Sequence, residues 1–165
     1  MSEFWQRVNK DTARGEIKDG DTRYVIFRTD VVAAMVNQLP ENSRLEVLKS
    51  FAAAVETHGG KSLARYFEMV DNDVTALLST VAATAPDLGW GVWQFTQHEN
   101  SLSLEVTNSP YVAFDPPQDA SCCAPILGMF TALAKMIFDE AEVEESACAK
   151  NTGKTCIFLA KNLSP

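Results

Sequence analysis

Residues 124–138 read APILGMFTALAKMIF and are apolar almost all the way round a helical wheel. Ile126, Leu127, Met129, Phe130, Leu133, Ile137 and Phe138 do not keep to one stripe. A surface helix shows a single apolar stripe, so this one must be covered on several sides. Pro125, Thr131 and Lys135 interrupt the stretch, which falls short of the ~20 residues a membrane span requires. Two arrangements supply the cover. One is core on one side and a homodimer partner on the other; the second is a ligand cavity along the helix.

The flanking segments say what the helix packs on. Residues 1–21 read as a loose lead-in with turn signals at Arg14, Gly15 and Gly20. Residues 23–28, RYVIFR, predict a strand because they are β-branched and aromatic. Asp30 caps a helix to about Leu39, where Pro40 stops it. Ser43 and Glu46 form a capping box for the next helix, which carries Leu45, Leu48, Ala52 and Val55 and ends at Gly59 and Gly60. Further helices are expected over 62–70 and 73–84. The character then changes. Residues 90–96 and 102–107 are strands, the second alternating strictly between Leu102, Leu104, Val106 and Ser103, Glu105. Residues 108–118, with Pro110, Pro116 and Pro117, are loop. Ser121 begins the apolar helix, and 141–148 with 154–161 close the chain as a hairpin around 151–153. That order is α+β: an antiparallel β-sheet with helices packed on one face, in a single domain over 1–165.

The chain carries a formal net charge of −8. This argues against gripping nucleic acid or an anionic membrane, both of which need clustered Lys and Arg. The first residues are polar and lack an apolar signal region, so a cytoplasmic location is expected. Disulfides are rare there. The four cysteines, Cys122, Cys123, Cys148 and Cys156, therefore suggest metal, redox chemistry or plain burial. Cys148 and Cys156 are equidistant from Thr152, so a regular hairpin opposes them, with Cβ atoms ~4.5–5.5 Å apart. Two thiolates so placed can share a zinc ion. Glu145, three residues before Cys148, faces the other way on a regular strand. A Glu-x-x-Cys chelate therefore demands a bend or bulge at Ser146 and Ala147. Cys122 or Cys123, at the start of the apolar helix, is then the fourth ligand. The competing reading is four buried, inert cysteines.

Three stretches carry a resemblance: Leu88-Gly-Trp-Gly91 with Asn108-Ser-Pro110; Cys123-x4-Gly128; and Glu145-x2-Cys148-x4-Gly153-x2-Cys156. Over residues 88–160 the chain resembles the 4-vinyl reductase domain family. That family is related to small-molecule sensor domains of bacterial regulators, including phenol sensors, and to subunits of a vesicle-tethering complex. The resemblance implies an α+β ligand-binding domain and a homodimer. It also implies a structural zinc ion held by Cys123, Glu145, Cys148 and Cys156. Cys123 is preferred to Cys122 because the family places a glycine five residues after the ligand, which is Gly128. Such a closed site holds structure rather than activating water. The His and Trp that hold the phenol oxygen in phenol-sensing relatives have no assigned counterpart. Thr107 stands where the Trp is sought, His58 reads as a helix-end cap and His98 as a solvated turn residue.

These readings combine into a non-enzymatic sensor or carrier domain. Trp90, Trp93, Phe95, Leu127 and Phe130 are the candidate lining of an apolar pocket for a hydrophobic or aromatic small molecule. Trp90 and Trp93 would nevertheless face opposite sides of a regular strand. Any output would pass to a separate protein. One alternative is a tetrapyrrole (bacteriochlorophyll) pathway role, as a 4-vinyl reductase component or pigment carrier. The chain shows no Gly-x-Gly-x-x-Gly fingerprint for a hydride carrier. No Ser/His/Asp or Cys/His set is apparent. A second alternative is a structural interaction domain without a ligand.

Overall fold

The computed structural model describes residues 3–118 and 120–164. Its N-terminal segment is not the loose lead-in expected. Glu3–Arg7 is a short helix, α1. Asn9–Asp11 (β1), Glu16–Asp19 (β2) and Thr22–Tyr24 (β3) form an antiparallel sheet in that order. The turn signals are hairpin turns, with Gly15 and Gly20 at φ +64° and +59°. A buried carboxylate ties this small sheet down. Asp19 is 4 % exposed and accepts a 3.0 Å hydrogen bond from Arg65, while Arg7 lies 3.8 Å away. Both guanidinium groups also lie over the Tyr66 ring. The strand expected over 23–28 stops at Tyr24: its register would set Val25 opposite Glu16, the first residue of β2, and Ile26 opposite Gly15 in the preceding turn, so β2 offers nothing to pair with from Ile26 onward. Val25, Ile26 and Phe27 are left 65 %, 75 % and 68 % exposed.

Thr29–Asn37 is α2. Asp30 sits in its first turn rather than at the cap, with its carboxylate on Arg28 and on the Val31 amide. Glu41–Met69 is one helix, α3, of 29 residues. It starts directly after Pro40, so Ser43 lies inside the first turn and does not cap it. It also runs straight through Gly59 and Gly60, where the local signal calls for an end. Val74–Asp87, α4, is capped by Asp73, whose Oδ1 accepts from the Ala76 amide at 2.8 Å.

The second sheet has the order β4-β5-β7-β6, from Val92–His98, Ser101–Thr107, Ala141–Ala147 (β6) and Cys156–Asn162 (β7). Every pairing is antiparallel. The alternation of Leu102, Leu104 and Val106 buries one face, where Phe158 and Ala160 join them. Ala124–Phe138 is α5. Its apolar circumference is covered from within the chain, by α3 on one side and by β6 and β7 on the other. The result is a mixed α/β fold whose helices pack to one side of the larger sheet. No helix among the described residues is long and apolar enough to cross a membrane.

The α3–α5 crossing explains why two glycines sit inside a helix. A Cβ at Gly59 would meet Met129 Cε at 2.6 Å, and one at Gly128 would lie 2.9 Å from the Ala52 carbonyl carbon. Gly128 permits close backbone approach of the two helices, and Gly59 leaves room for the Met129 side chain rather than ending the helix.

Candidate metal centre and apolar cavity

The bulge that Glu-x-x-Cys demands is present. Glu145 pairs with Phe158 and Ala147 with Ile157, so the register shifts between Glu145 and Ala147. That shift turns Glu145 and Cys148 to the same side. Cys148 then caps a single helical turn, Ala149–Thr152 (α6), closed by Gly153 at φ +68°. This turn replaces the tight hairpin loop expected there. Cys156 begins β7 just beyond it, and its sulfur accepts from the Ala149 amide at 3.3 Å. Cys123 is the N-cap residue of α5. Ser109, buried, sits 3.3 Å from the Cys123 sulfur and also caps the 3-10 turn Pro110–Ala113. The Asn108-Ser-Pro stretch thus reaches the thiols directly.

The ligand atoms of Cys122, Cys123, Glu145 and Cys148 all lie within 4.8 Å of one another. Cys156 joins them through its sulfur, 3.4 Å from that of Cys123. The structure therefore gathers five donors, including both members of the Cys122/Cys123 pair. Cys122 and Cys148 have their sulfurs in contact while their Cα atoms are 7.4 Å apart. That exceeds the ~7 Å beyond which a disulfide requires backbone movement.

The electrostatics fit a cation. Burial raises the Glu145 carboxyl above the usual carboxylate range, against hydrogen bonds from Ser121, Cys123 and Cys156 that lower it. Its Oε1 is buried and has no hydrogen-bond partner among the described residues. The hydrogen bond to Cys156 pushes the Cys123 thiol up, and burial adds to this. The same bond pulls Cys156 down. Two sulfurs on one tetrahedral zinc, with Zn–S of ~2.3 Å, lie about 3.8 Å apart. The Cys122–Cys123 and Cys123–Cys156 separations are 3.8 and 3.4 Å. A cluster of three cysteines and one glutamate, capable of coordinating a metal ion, is therefore present. A zinc ion here would supply the opposite charge for the orphaned carboxylate oxygen and pin α5 to the β6–β7 ribbon.

An apolar cavity of about 390 Å³ lies between α3 and α4. Val55, His58, Ser62 and Tyr66 line it from one face of α3, at helical spacing. Met129 of α5 and Val81 and Ala85 of α4 complete much of the wall. Trp90 and Trp93 both contribute, contrary to the opposite-faces expectation. Trp90 lies before the strand, placed by the end of α4. The Gly89 amide donates to Pro86 and the Trp90 amide to Ala85, which is a Schellman motif with Gly89 at φ +73°. Gly91, at φ +86° and tight against Thr107, then leads into the strand at Val92. The Trp93 indole donates to the Trp90 carbonyl at 3.0 Å, and the two rings stand 6.4 Å apart.

The other expected lining residues fall elsewhere. Phe130 is fully buried against Phe158 in the sheet core. Phe95 packs edge-on to Trp93, outside the lining. Leu127 faces a surface cleft beside Cys122. His58, read as a helix-end cap, instead sits on the cavity wall because α3 continues past it. Once the helix is drawn through Gly59, the spacing 55, 58, 62, 66 identifies this face.

No protein-family model matches the chain, and no curated protein matches it. Solved structures do share its fold. One is the phenol-responsive sensory domain of the transcription activator PoxR with phenol. It has a TM-score of 0.80 at 15 % identity, over 96 % of this chain and 86 % of that one. A more distant likeness is to trafficking protein particle complex subunit 3 from Naegleria fowleri, covalently bound to palmitic acid. There the TM-score is 0.56 at 10 % identity, over 82 % of this chain and 90 % of that one. Likeness at these identities establishes the fold alone.

Proposed function

We propose that this chain is a non-enzymatic sensor or carrier domain. It takes a hydrophobic or aromatic small molecule into the cavity between α3 and α4, beside a structural zinc site. The observation that carries the reading is the cavity itself: an apolar chamber walled by Trp90, Trp93 and Met129, with His58 and Ser62 on one wall. Pockets that bind small molecules have this character, mostly apolar with few polar groups. The phenol in the PoxR structure supports a ligand of that class. Kinship with the 4-vinyl reductase domain family belongs to the same proposal and rests on the three motif stretches. Each has a structural role here: the Schellman turn, the Gly128 crossing and the bulged Glu-x-x-Cys.

Zinc would be held by Cys123, Glu145, Cys148 and Cys156, with Cys122 as the alternative to Cys123. A homodimer is also part of the proposal; Val31 and Met35, 53 % and 61 % exposed on α2, supply apolar surface for it. A tetrapyrrole carrier is the alternative favoured by one observation: a second cavity shares Tyr24, Leu88 and Trp90 with the first, enlarging the available space. The cavities weigh against an interaction domain without a ligand, which would have a filled interior.

The test is titration with phenol and with indole by isothermal titration calorimetry. Saturable binding at one site per chain is expected, weakened by Ala54→Phe, which narrows the chamber. Failure of both uncharged probes to saturate refutes the reading. A porphyrin-sized adduct in native mass spectrometry of the protein from its own host would shift the assignment to the tetrapyrrole carrier.

A further inference from the structure

The cysteine and glutamate cluster holds more donors than one closed tetrahedral site uses. Zinc in a structural site takes four ligands. Cys122, Cys123, Glu145, Cys148 and Cys156 offer five. The zinc set of Cys123, Glu145, Cys148 and Cys156 leaves Cys122 over, yet Cys122 is not at the margin. Its sulfur lies within 4.8 Å of the Cys123 and Cys148 sulfurs and of a Glu145 carboxylate oxygen. Neighbouring side chains on an extended chain point to opposite sides. Here the turn before α5, with Cys123 at φ −90° and ψ 34°, brings the two neighbouring sulfurs to 3.8 Å. Two sulfurs sharing one tetrahedral zinc stand about the same distance apart, ~3.8 Å.

Glu145 is the donor that can leave. It is the one oxygen donor among the five, and its way out is open. Its Oε2 accepts from the Ser121 hydroxyl. Glu145, Ser121, Cys122 and Cys148 all border a surface cleft of about 740 Å³, whereas the fully buried Cys123 and Cys156 do not. A carboxylate released from an ion therefore keeps one hydrogen bond and gains water. Donor softness decides which set an ion takes. Zinc is borderline and accepts carboxylate beside thiolate. A soft ion favours sulfur throughout.

We propose that Cys122 is a spare ligand that gives the cluster a second coordination set, Cys122, Cys123, Cys148 and Cys156, for a soft divalent ion such as cadmium. As the ion binds, Cys122 gives up its proton to water and Glu145 turns into the cleft, so four donors remain. Which ion is bound then decides whether Glu145 sits inside the cluster or faces solvent. The inference rests on the zinc reading above, with Cys123 as the helix-start ligand, and adds a class of ion to it.

X-ray absorption at the metal edge tests this by counting sulfur and oxygen donors on the full reduced chain, loaded with zinc or with cadmium. Three sulfurs and one oxygen are expected on zinc, and four sulfurs on cadmium. The chain has only four cysteines, so four sulfurs on one ion name Cys122 among them. In competition between the two ions, Cys122→Ser should lower the preference for cadmium over zinc by at least about tenfold. Glu145→Gln should raise that preference, because only zinc loses a ligand. The wild-type donor counts decide the matter alone if the variants do not fold. Three sulfurs on cadmium, or a preference unchanged by Cys122→Ser, would overturn the proposal and leave the zinc reading standing. Four sulfurs on zinc would overturn the exchange as well. A chain that retains neither ion fails at the zinc reading itself, and the proposal falls with it.

Discussion

Replacing Gly128 by alanine should destabilise the protein, although alanine is the better helix former. A Cβ at this position would lie 3.0 Å from Ala52 Cα and 2.9 Å from its carbonyl carbon, and closer still to the oxygen. Carbon pairs prefer about 3.5–4.0 Å, so α3 and α5 must separate by roughly 0.5–1 Å to admit it. A gap of that size forfeits about a quarter to a half of each dispersion contact along the crossing. The obstacle is backbone, which has no rotamer to change. Overpacking of this kind costs about 1–3 kcal/mol, and the backbone clash places it at the upper end. The helix-propensity gain of about 1 kcal/mol returns part of that. A net loss of about 2 kcal/mol is expected. Gly60→Ala is the internal control. Its Cβ would sit 3.6 Å from Ala132 Cβ, an ordinary contact, so the propensity gain stands alone and stability should rise by about 1 kcal/mol. Urea denaturation of both variants gives the answer as opposite shifts in midpoint at unchanged slope. If Gly128→Ala is as stable as the parent, or Gly60→Ala is the more damaging, the close-approach account of these glycines is wrong.

Protein purified without added metal should contain about one zinc per chain, and Cys156→Ser should lower that content and the melting temperature together. A metal-free, fully folded protein with an unchanged melting point would remove the zinc assignment. Burial raises the Tyr24 phenol from its ordinary value of 10.0 to about 12. The unfolded chain therefore ionises first, and stability present below pH ~10 should decline as pH rises towards 12. Absorbance titration of the phenolate should show Tyr24 ionising late, and a Tyr24→Phe variant should lose that late phase.

What the sequence made legible was whatever depended on short-range periodicity. Leu102, Leu104 and Val106 alternate and form a half-buried strand. Residues 124–138 are apolar all round and form the central helix. The need for a bulge at Ser146 and Ala147 followed from the parity of Glu145 and Cys148, and the register shifts there. Features set by tertiary contact were not legible. Gly59 and Gly60 carry a helix-ending signal, yet the helix runs on; Met129 on the facing helix fills the space a Gly59 Cβ would take, while a Gly60 Cβ would meet only an ordinary contact at Ala132. Trp90 and Trp93 share a cavity only because the end of α4 turns the chain before the strand begins. β1, with Asn9, Lys10 and Asp11, has no apolar alternation to announce it; the Asp19–Arg65 pair holds its sheet from outside.

The cysteine and glutamate cluster and the cavities are connected through a short chain of contacts. Cys123 touches Ser109, whose hydroxyl also accepts from the Tyr111 amide. Tyr111 is largely buried, and burial holds its phenol well above its usual range, with the nearby Cys123 adding to the shift. Its ring packs edge-on against Trp90, which lines both cavities. A change at the sulfurs therefore reaches the cavity wall through one hydroxyl and two rings, all of them closely packed. Interiors packed this tightly transmit displacement rather than absorb it. The cluster is accordingly linked by direct contacts to Trp90 as well as to α5 and the β6–β7 ribbon.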